Sequence, residues 1–252
     1  MKQIDINCDM GESFGNFRVG NDEAVFPYIT SANIACGFHG GDPVHMEKTI
    51  LNALKYGVKI GAHPGYPDLA GFGRRTMELK AEELTAIIKY QVSAIKGMAE
   101  SLGGKLSYVK PHGALYNKAS HSEQETRAII KGIRAIDPQL IFMGLAGSIM
   151  EEIAKSEGMP FTAEAFADRR YEPNGRLMSR AKEGSVLGDA EVASDQVLSI
   201  AKDHRLTASN GEVLEVHAQS VCIHGDNPSA VDILKAIDEK LAAHGIAKQS
   251  FS

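Results

Sequence analysis

Short apolar segments alternate with longer amphipathic segments along the whole of this 252-residue chain. The short segments are typical of buried strands, and they cover residues 4–8, 33–36, 58–62, 106–109, 140–143, 161–165 and 220–223. Residues 185–187 are a weaker strand candidate, and residues 212–216 fit either a strand or a loop. Between the strands, apolar residues recur at helical spacing, most clearly over residues 81–102. This alternation predicts an α/β fold with a mostly parallel sheet.

Polar side chains and glycines follow the predicted strands. Residues 33–43, Asn-Ile-Ala-Cys-Gly-Phe-His-Gly-Gly-Asp-Pro, show the plan: an apolar strand leads to a glycine-rich bend that carries His39. Asp42 is expected as the N-cap of the next helix, with Pro43 in its first turn. At least five strand ends carry such clusters, and a closed barrel would bring them to one mouth. We therefore predict one α/β barrel domain over residues 1–252; an open doubly wound sheet is the alternative.

Composition excludes some classes of protein. A hydrophobic fraction of 43% suffices for a large core, and a net charge of -5 argues against nucleic acid as the main partner. No apolar run approaches the ~20 residues that span a bilayer, and the first residues lack the apolar core of a signal peptide. Cys8, Cys36 and Cys222 lie in or beside apolar segments, which indicates buried, unpaired cysteines. We therefore expect a cytoplasmic protein.

The strand ends carry the residues best suited to chemistry. Asn7 and Asp9 lie on one face of the first strand, which is either an exposed edge or part of a site. Lys110 follows the predicted strand of residues 106–109 and is either solvated or placed to neutralise an anion. Four histidines stand one to three residues after apolar strands, and four equivalent positions predict a shared site for acid–base chemistry; they are His39, His63, His112 and His224.

Several features leave the chemistry open at this point. Histidines and aspartates from different strands could bind zinc or a similar ion, and sequence spacing cannot identify such ligands. A cationic run suits carboxylate or phosphate, and equally a solvated loop; it contains Arg169, Arg170, Arg176 and Arg180. The chain has no Gly-x-x-x-x-Gly-Lys-Ser/Thr loop and no Gly-x-Gly-x-x-Gly after a strand.

Seven segments together resemble the LamB/YcsF family, whose members are the A subunit of bacterial 5-oxoprolinase. They span nearly the whole chain and cover residues 7–12, 31–43, 61–65, 71–75, 110–117, 166–169 and 224–228. Two departures, Gly40 where alanine is expected and Ser179 where proline is common, remove no titratable group. The resemblance implies a distorted (β/α)7-type barrel similar to the glycoside hydrolase/deacetylase superfamily.

The resemblance also implies ATP-dependent hydrolysis of the lactam of 5-oxo-L-proline to L-glutamate, with ADP and phosphate as the other products. It implies two further subunits that resemble those of allophanate hydrolase. Phosphorylation of the lactam oxygen would turn a poor electrophile into one that water can attack. The missing phosphate loop mildly favours a contribution of a partner to ATP binding.

Our hypothesis for the reaction is that Asp9 or His63 positions or deprotonates the attacking water. His112 would be the partner of these groups, and Lys110 would stabilise the developing charge. The candidate substrate-binding residues are Asn7, Glu12, Asn33, His39, Asp42, Arg169, His224 and Asp226. No metal ligand is assigned, although a divalent metal stays open, as does a homo-oligomer.

Two other functions compete with this hypothesis. One is a metal-dependent hydrolase or deacetylase that acts alone. The other is a non-catalytic subunit that binds the substrate and docks partners, with the strand-end cluster serving recognition.

Overall fold

Seven parallel strands close into a barrel in this computed structural model, which describes residues 2–252. The barrel strands are β1 (Gln3–Met10), β2 (Ser31–Ala35), β3 (Lys59–His63), β4 (Leu106–Val109), β5 (Ile141–Leu145), β6 (Phe161–Phe166) and β9 (Ser220–His224). They are hydrogen-bonded in that order, and β9 pairs back with β1, so that Asp9 lies opposite His224. The predicted (β/α)7-type barrel is confirmed.

Eight α-helices accompany the strands among residues 2–252. They are α1 (Asp22–Val25), α2 (Pro43–Tyr56), α3 (Ala81–Ser101), α4 (Gly113–Ala119), α5 (Glu123–Ile136), α6 (Ile149–Ser156), α7 (Ala190–Asp203) and α8 (Ala230–Ala243). Two 3-10 turns, Phe26–Tyr28 and Leu69–Gly71, lie between them. A two-residue strand, β10 (Ala247–Lys248), pairs with the start of β1. None of the helices in this range is long and apolar enough to cross a membrane.

Helix α2 shows how local sequence sets an element's ends. The Asp42 carboxylate accepts the backbone N–H groups of Val44 and His45 at 2.9 and 3.0 Å, and Pro43 occupies the first turn. The helix ends at Gly57, whose φ of 66° is a left-handed conformation that glycine adopts readily. The predicted N-cap and helix start are therefore confirmed.

The inside of the barrel is unusually polar. Alternate residues of β1 point to opposite faces, so that Ile4, Ile6 and Cys8 join the apolar core while the buried side chains of Asn7 and Asp9 face the other strands across the barrel. Bulky apolar side chains normally fill such a barrel. Here the interior holds a hydrogen-bonded network, and the apolar core lies between the barrel and its helices.

A tyrosine crosses the interior beneath this network. The Tyr108 hydroxyl donates a 2.7 Å hydrogen bond to Asn33 Oδ1, and the ring of Phe251 packs against it with 5.2 Å between centroids. The Tyr108 ring fits because Gly61 stands beside it. A Cβ at Gly61 would lie 2.2 Å from a Tyr108 ring carbon.

Two weaker strand predictions resolve differently. The prediction of a strand over residues 185–187 is wrong, since Val186 makes only an isolated bridge with Arg169. The carbonyl of Ser185 instead accepts the backbone N–H of Arg170, which holds this segment in the loop after β6. The ambiguous residues 212–216 contain β8 (Val213–Glu215), which pairs with β7 (Arg205–Thr207) as a separate antiparallel hairpin.

The packing around Gly61 leads to a stability prediction. Gly61→Ala should lower the free energy of unfolding by about 1–3 kcal/mol, because the tightly packed Tyr108 ring must shift. Urea denaturation measures this quantity. Gly97→Ala is the matched control, since Gly97 lies in α3 and, apart from its chain neighbours and the backbone of its own helix, no atom lies within 4 Å of the place that its Cβ would take. This control should raise stability by about 0.5–1 kcal/mol. A Gly61→Ala protein as stable as wild type would contradict the packing described.

Candidate active site

A cavity of about 450 Å³ opens where the carboxyl ends of the strands meet. Asp9, Lys110 and His112 line it together with His63 and His224. The four residues proposed for catalysis, Asp9, His63, Lys110 and His112, are therefore brought together by different segments of the chain. All four are almost completely buried.

Lys110 lies at the centre of the charged network. Its Nζ is 3.0 Å from Glu164 Oε2 and 3.2 Å from Asp9 Oδ1, and it donates to Asn7 Oδ1 at 3.2 Å and to Cys222 Sγ at 2.9 Å. A buried ammonium group with two carboxylates beside it is well compensated, and removing either sign would leave an unpaired buried charge.

The pKa shifts agree with this picture. Burial alone would lower the pKa of Lys110, but the charges of Asp9 and Glu164 hold it well above its usual range. Burial would likewise raise the pKa of Asp9, yet His63 and Lys110 hold it well below its usual range. The Cys222 thiol has its pKa raised by burial and by Asp9. The group is therefore a lysine ammonium, an aspartate and a neutral thiol.

Three imidazoles and Glu12 pack beside this network. His39 stacks on His112 with 3.6 Å between ring centroids and 4° between planes, whereas His63 stands at 89° to His112. Glu12 Oε1 lies 3.1 Å from His39 Nε2 and 3.3 Å from His112 Nδ1. Burial raises the pKa of Glu12 well above its usual range and lowers the pKa of His39 and of His112 well below theirs.

Backbone carbonyls fix the orientation of two of these rings. His63 Nδ1 donates to the carbonyl of Lys110 at 2.8 Å, and His112 Nε2 donates to the carbonyl of Phe72 at 2.8 Å. Each neutral ring then has a lone pair on its other nitrogen. Those two nitrogens, His63 Nε2 and His112 Nδ1, face each other at 3.0 Å.

The segment after β3 supplies this orientation through its glycines. Gly73 has a φ of 63°, and a Cβ there would lie 2.7 Å from atoms of both His112 and His39. Glycine at this position lets the loop approach both rings closely and aim the Phe72 carbonyl at His112.

His224 stands apart from the three clustered imidazoles. Its Nδ1 lies 2.8 Å from Asp168 Oδ1, and its ring stacks on Phe166 with 5.3 Å between centroids. Asn227 Nδ2 donates to the other oxygen of Asp168 at 3.1 Å. Burial would raise the pKa of Asp168, but His224 and Asn227 stabilise its carboxylate and hold the pKa below its usual range.

Three arginines add positive charge to the cavity lining: Arg74, Arg169 and Arg180. Asp226 holds one of them, since its carboxylate pairs with the guanidinium of Arg74, and it lies 3.9 Å from Arg180. Burial lowers the pKa of Arg169 to about 10, which leaves it charged at neutral pH. With Lys110, these groups favour an anionic ligand.

The predicted substrate-binding residues take different places. Arg169 and His224 line the cavity. Asn7 and Asn33 lie beneath it and are hydrogen-bonded to each other at 2.7 Å. Asn33 also donates to Asp9 Oδ1 at 2.8 Å, so these amides position Asp9 and Lys110.

The other four predicted residues also lie outside the cavity lining. Glu12 and His39 are packed behind His112, and Asp226 contacts the arginines. The Asp42 carboxylate is occupied by helix α2 and by the backbone N–H of Gly15 at 2.7 Å. These bonds tie the start of α2 to the segment after β1, and we give Asp42 no role toward a ligand.

Three charged groups and one sulfur in the site are not among the residues predicted from the sequence. Glu164 and Asp168 lie in or just after β6, and Arg74 follows β3 within one of the recognised segments. Cys222 was interpreted as a buried hydrophobe, and it is buried, but its sulfur also accepts from Lys110. Glu164 carried a signal that could have been used, because an acid inside an apolar strand requires a buried counterion.

The fold and the site together define a (β/α)7 barrel with a buried, charge-paired active-site cavity at the carboxyl ends of its strands. The LamB/YcsF family model matches residues 4–252. The chain therefore belongs to the LamB/YcsF family, as the sequence motifs predict.

Relatives match over nearly their full length. The chain is 46% identical over 252 residues to the 5-oxoprolinase A subunit numbered 1 of Agrobacterium fabrum, covering 100% of this chain and 99% of that one. It is 49% identical over 250 residues to the 5-oxoprolinase A subunit of Natranaerobius thermophilus, covering 99% and 97% respectively.

Solved structures agree with the fold. The lactam utilization protein from Thermus thermophilus is 40% identical and superposes with a TM-score of 0.93, covering 99% of this chain and 100% of that one. A family 4 carbohydrate esterase from Streptomyces lividans is 10% identical with a TM-score of 0.54, covering 100% and 93%. The latter likeness concerns the fold alone.

The Lys110–Glu164 contact predicts a measurable coupling. Lys110→Met should lower the free energy of unfolding by about 3–5 kcal/mol, because it leaves two buried carboxylates without their ammonium. The double variant Lys110→Met/Glu164→Gln should lose at least ~1 kcal/mol less free energy of unfolding than the two single variants lose in sum. The surface pair Lys155–Glu151, in which Lys155 is exposed and Glu151 is half-buried, is the control, with an expected coupling of about 0.5 kcal/mol or less. Additive single effects at Lys110 and Glu164 would contradict the buried pair.

The His224–Asp168 contact predicts how stability changes with pH. A lowered folded-state pKa of Asp168 contributes stability above the unfolded value, ordinarily 3.8, and this contribution is lost as pH falls through the folded value. The stability difference between wild type and Asp168→Asn should thus be full near neutral pH and shrink below 3.8. Asp203→Asn, on the exposed end of α7, is the control and should show no such trend. A difference that stays constant on acidification would contradict the assignment.

Proposed function

We propose that this chain is the A subunit of an ATP-dependent 5-oxoprolinase. The reaction would open the lactam of 5-oxo-L-proline to L-glutamate and cleave ATP to ADP and phosphate. The names of the full-length relatives support this proposal, as does the lactam utilization protein that shares the fold at 40% identity. The observation that carries it is the meeting of Asp9, His63 and Lys110 in one cationic cavity.

The cavity suits the substrate in size and charge. A volume of about 450 Å³ is in the range of small-molecule pockets. 5-Oxoproline carries one carboxylate, and its phosphorylated lactam would add further negative charge. Arg74 and Arg180 line the cavity on the side of Asp226, so we assign them, with Arg169, to these anionic groups.

Tyr116 offers a neutral contact in the same cavity. Its hydroxyl is buried, and Glu164 is the neighbouring carboxylate that, with burial, raises its pKa well above the usual range. Neither this hydroxyl nor Glu164 Oε1 makes a hydrogen bond of ordinary geometry to residues 2–252. We assign the pair to a polar atom of the lactam, since a buried polar group without a well-formed hydrogen bond costs about 1–3 kcal/mol.

The geometry suggests separate roles for the charged groups. Phosphorylation of the lactam oxygen makes the ring carbon a better electrophile for water. The C–N bond of the adduct then breaks as its nitrogen takes up a proton, and hydrolysis of the acyl phosphate that forms releases phosphate and L-glutamate. Asp9 Oδ2 and His63 Nε2 lie 3.3 Å apart at the cavity wall, so that one attacking water in the cavity would lie within hydrogen-bond reach of both. The low pKa of Asp9 makes it a weak base, so His63 accepts the proton and Asp9 orients the water. Lys110 stabilises the negative charge that develops.

Partner subunits complete the proposal. We propose that two further subunits, resembling those of allophanate hydrolase, assemble with this chain and contribute to ATP binding, since the chain lacks the common phosphate loops. Use of ATP and the three free, buried cysteines fit a cytoplasmic complex.

A second candidate is a metal-dependent hydrolase or deacetylase that acts alone. The convergence of Glu12, His63 and His112 favours it. Assays of the chain by itself, with added divalent metal and without ATP, separate the two. Under the proposal, glutamate release requires ATP and both partners; release of product by the isolated chain without ATP would favour the second candidate.

Single substitutions test the catalytic assignment. Asp9→Asn, His63→Gln and His112→Gln should each lower glutamate release by the reconstituted complex by about 100-fold or more, since Asp9 and His63 position and deprotonate water and His112 lies 3.0 Å from His63 Nε2. His217→Gln, at an exposed position, should retain full activity. Full turnover by all three cavity variants would contradict the assignment. Lost turnover with 5-oxoproline binding retained would argue against a purely substrate-binding subunit.

A further inference from the structure

We propose that Glu12, His63 and His112 form a binding site for one divalent transition-metal ion of the zinc class. The ligand atoms would be Glu12 Oε1, His63 Nε2 and His112 Nδ1, which come from the carboxyl ends of β1, β3 and β4. This inference goes beyond the proposed function, because binding of an ion by the isolated chain does not depend on the substrate or on the partners.

The distances between the ligand atoms match those in the coordination shell of a metal ion. His63 Nε2 and His112 Nδ1 are 3.0 Å apart, and His112 Nδ1 and Glu12 Oε1 are 3.3 Å apart. Bonds of about 2.0 Å around a tetrahedral zinc ion place neighbouring ligand atoms ~3.3 Å apart. The ligand atoms of these three residues and His39 all lie within 4.8 Å of one another.

Both rings are oriented as metal-binding histidines usually are. His63 Nδ1 and His112 Nε2 each donate to a backbone carbonyl, that of Lys110 and that of Phe72. A hydrogen bond from the second nitrogen fixes the tautomer and aims the first nitrogen's lone pair at the ion. Here the two nitrogens that keep a lone pair lie 3.0 Å apart, and a carboxylate oxygen of Glu12 lies 3.3 Å from one of them.

The electrostatics of the cluster favour a positive charge between His63 Nε2 and His112 Nδ1. Two acceptor nitrogens at 3.0 Å repel each other unless a cation lies between them. Without a metal ion, the cluster would need two protons. A proton on His63 would pair with Asp9, and a proton on Glu12 would pair with His112. One divalent ion meets all three acceptor atoms from a single position.

His39 is excluded as a ligand by the stacking of its ring. Its plane is parallel to that of His112, with 3.6 Å between centroids, and an ion bound along both nitrogen lone pairs would have to lie in both planes. The perpendicular ring of His63 meets no such conflict. His39 Nε2 instead donates to Glu12 Oε1 at 3.1 Å, which makes His39 a positioning residue for the carboxylate.

The site is open on one side. His63 and His112 line the cavity, as does Asp9, whose Oδ2 is 3.3 Å from His63 Nε2. Three protein ligands with an open position are typical of catalytic zinc sites, whereas structural sites are closed by four. An ion here would lower the pKa of a bound water or polarise an amide oxygen of the substrate. With the ion bound, His63 Nε2 would be a ligand and would not accept a proton, so the role of proton acceptor given to His63 above applies to the chain without the ion.

Metal binding by the isolated, full-length chain tests the proposal. The chain is stripped with a chelator and titrated with Co²⁺, whose visible absorption reports low-symmetry coordination by nitrogen and oxygen, and with Zn²⁺, counted by elemental analysis. We expect one equivalent of tightly bound ion per chain. Glu12→Gln and His112→Ala should lose it, and His39→Ala should weaken affinity by about 10- to 100-fold.

Two variants control for other histidines. His224→Ala removes an imidazole that lines the same cavity outside the cluster, and it should retain the bound ion. His204→Ala/His217→Ala removes a surface pair with 4.8 Å between ring centroids, a place where ions bind adventitiously. Thermal denaturation of each stripped variant checks that it is folded, and the Co²⁺ spectrum of the wild-type chain needs no variant at all.

The outcomes are distinct. Loss of the Co²⁺ band in the cluster variants with retention in both controls supports the site. A wild-type chain that binds no ion, or binding that disappears only with the surface pair, overturns it and leaves protons on His63 and Glu12 as the explanation. Neither outcome decides whether the complex hydrolyses 5-oxoproline, so the two proposals fail separately.

Discussion

The interaction on which the site depends is the burial of one ammonium group, that of Lys110, between Asp9 and Glu164. These three charges come from β1, β6 and the end of β4, and they can meet only when the sheet closes. Left unpaired, any one of them would cost several kcal/mol inside the barrel. Fold and site are therefore linked: the charges require the closed barrel, and the barrel interior is filled by their hydrogen-bond network instead of aliphatic side chains.

Small residues make room for this polar interior. Gly61 admits the Tyr108 ring, whose hydroxyl holds Asn33, and Asn33 in turn donates to Asp9. Gly73 similarly admits His112 and His39. The amides and glycines of the sequence motifs thus act on a ligand only indirectly. They hold the aspartate and the imidazoles in place, while His63, Lys110 and the arginines form the surface that a substrate meets.

Much of this could be predicted from the sequence, for physical reasons. The helical periodicity, the Asp42-Pro43 helix start and the polar strand ends are local patterns, and closure of parallel strands brings such ends together. Glu164 and Asp168 could not be assigned, because their partners, Lys110 and His224, are distant in sequence. No spacing rule connects Glu12, His63 and His112, and their common focus depends on ring orientations set by backbone carbonyls. The sequence also does not distinguish residues that line the cavity from residues that support it from beneath. The prediction therefore groups Asn7, Asn33 and Asp42 with Arg169 as substrate-binding residues.

The protonation of Lys110 and Asp9 is the most direct test of this account. Neutron diffraction from deuterium-exchanged crystals locates these hydrogens, which ordinary X-ray data do not show. The account predicts three deuterons on Lys110 Nζ, directed toward its oxygen and sulfur neighbours, and none on Asp9. A neutral Lys110 amine beside a protonated Asp9 would contradict the central claim that a charged pair organises the barrel interior.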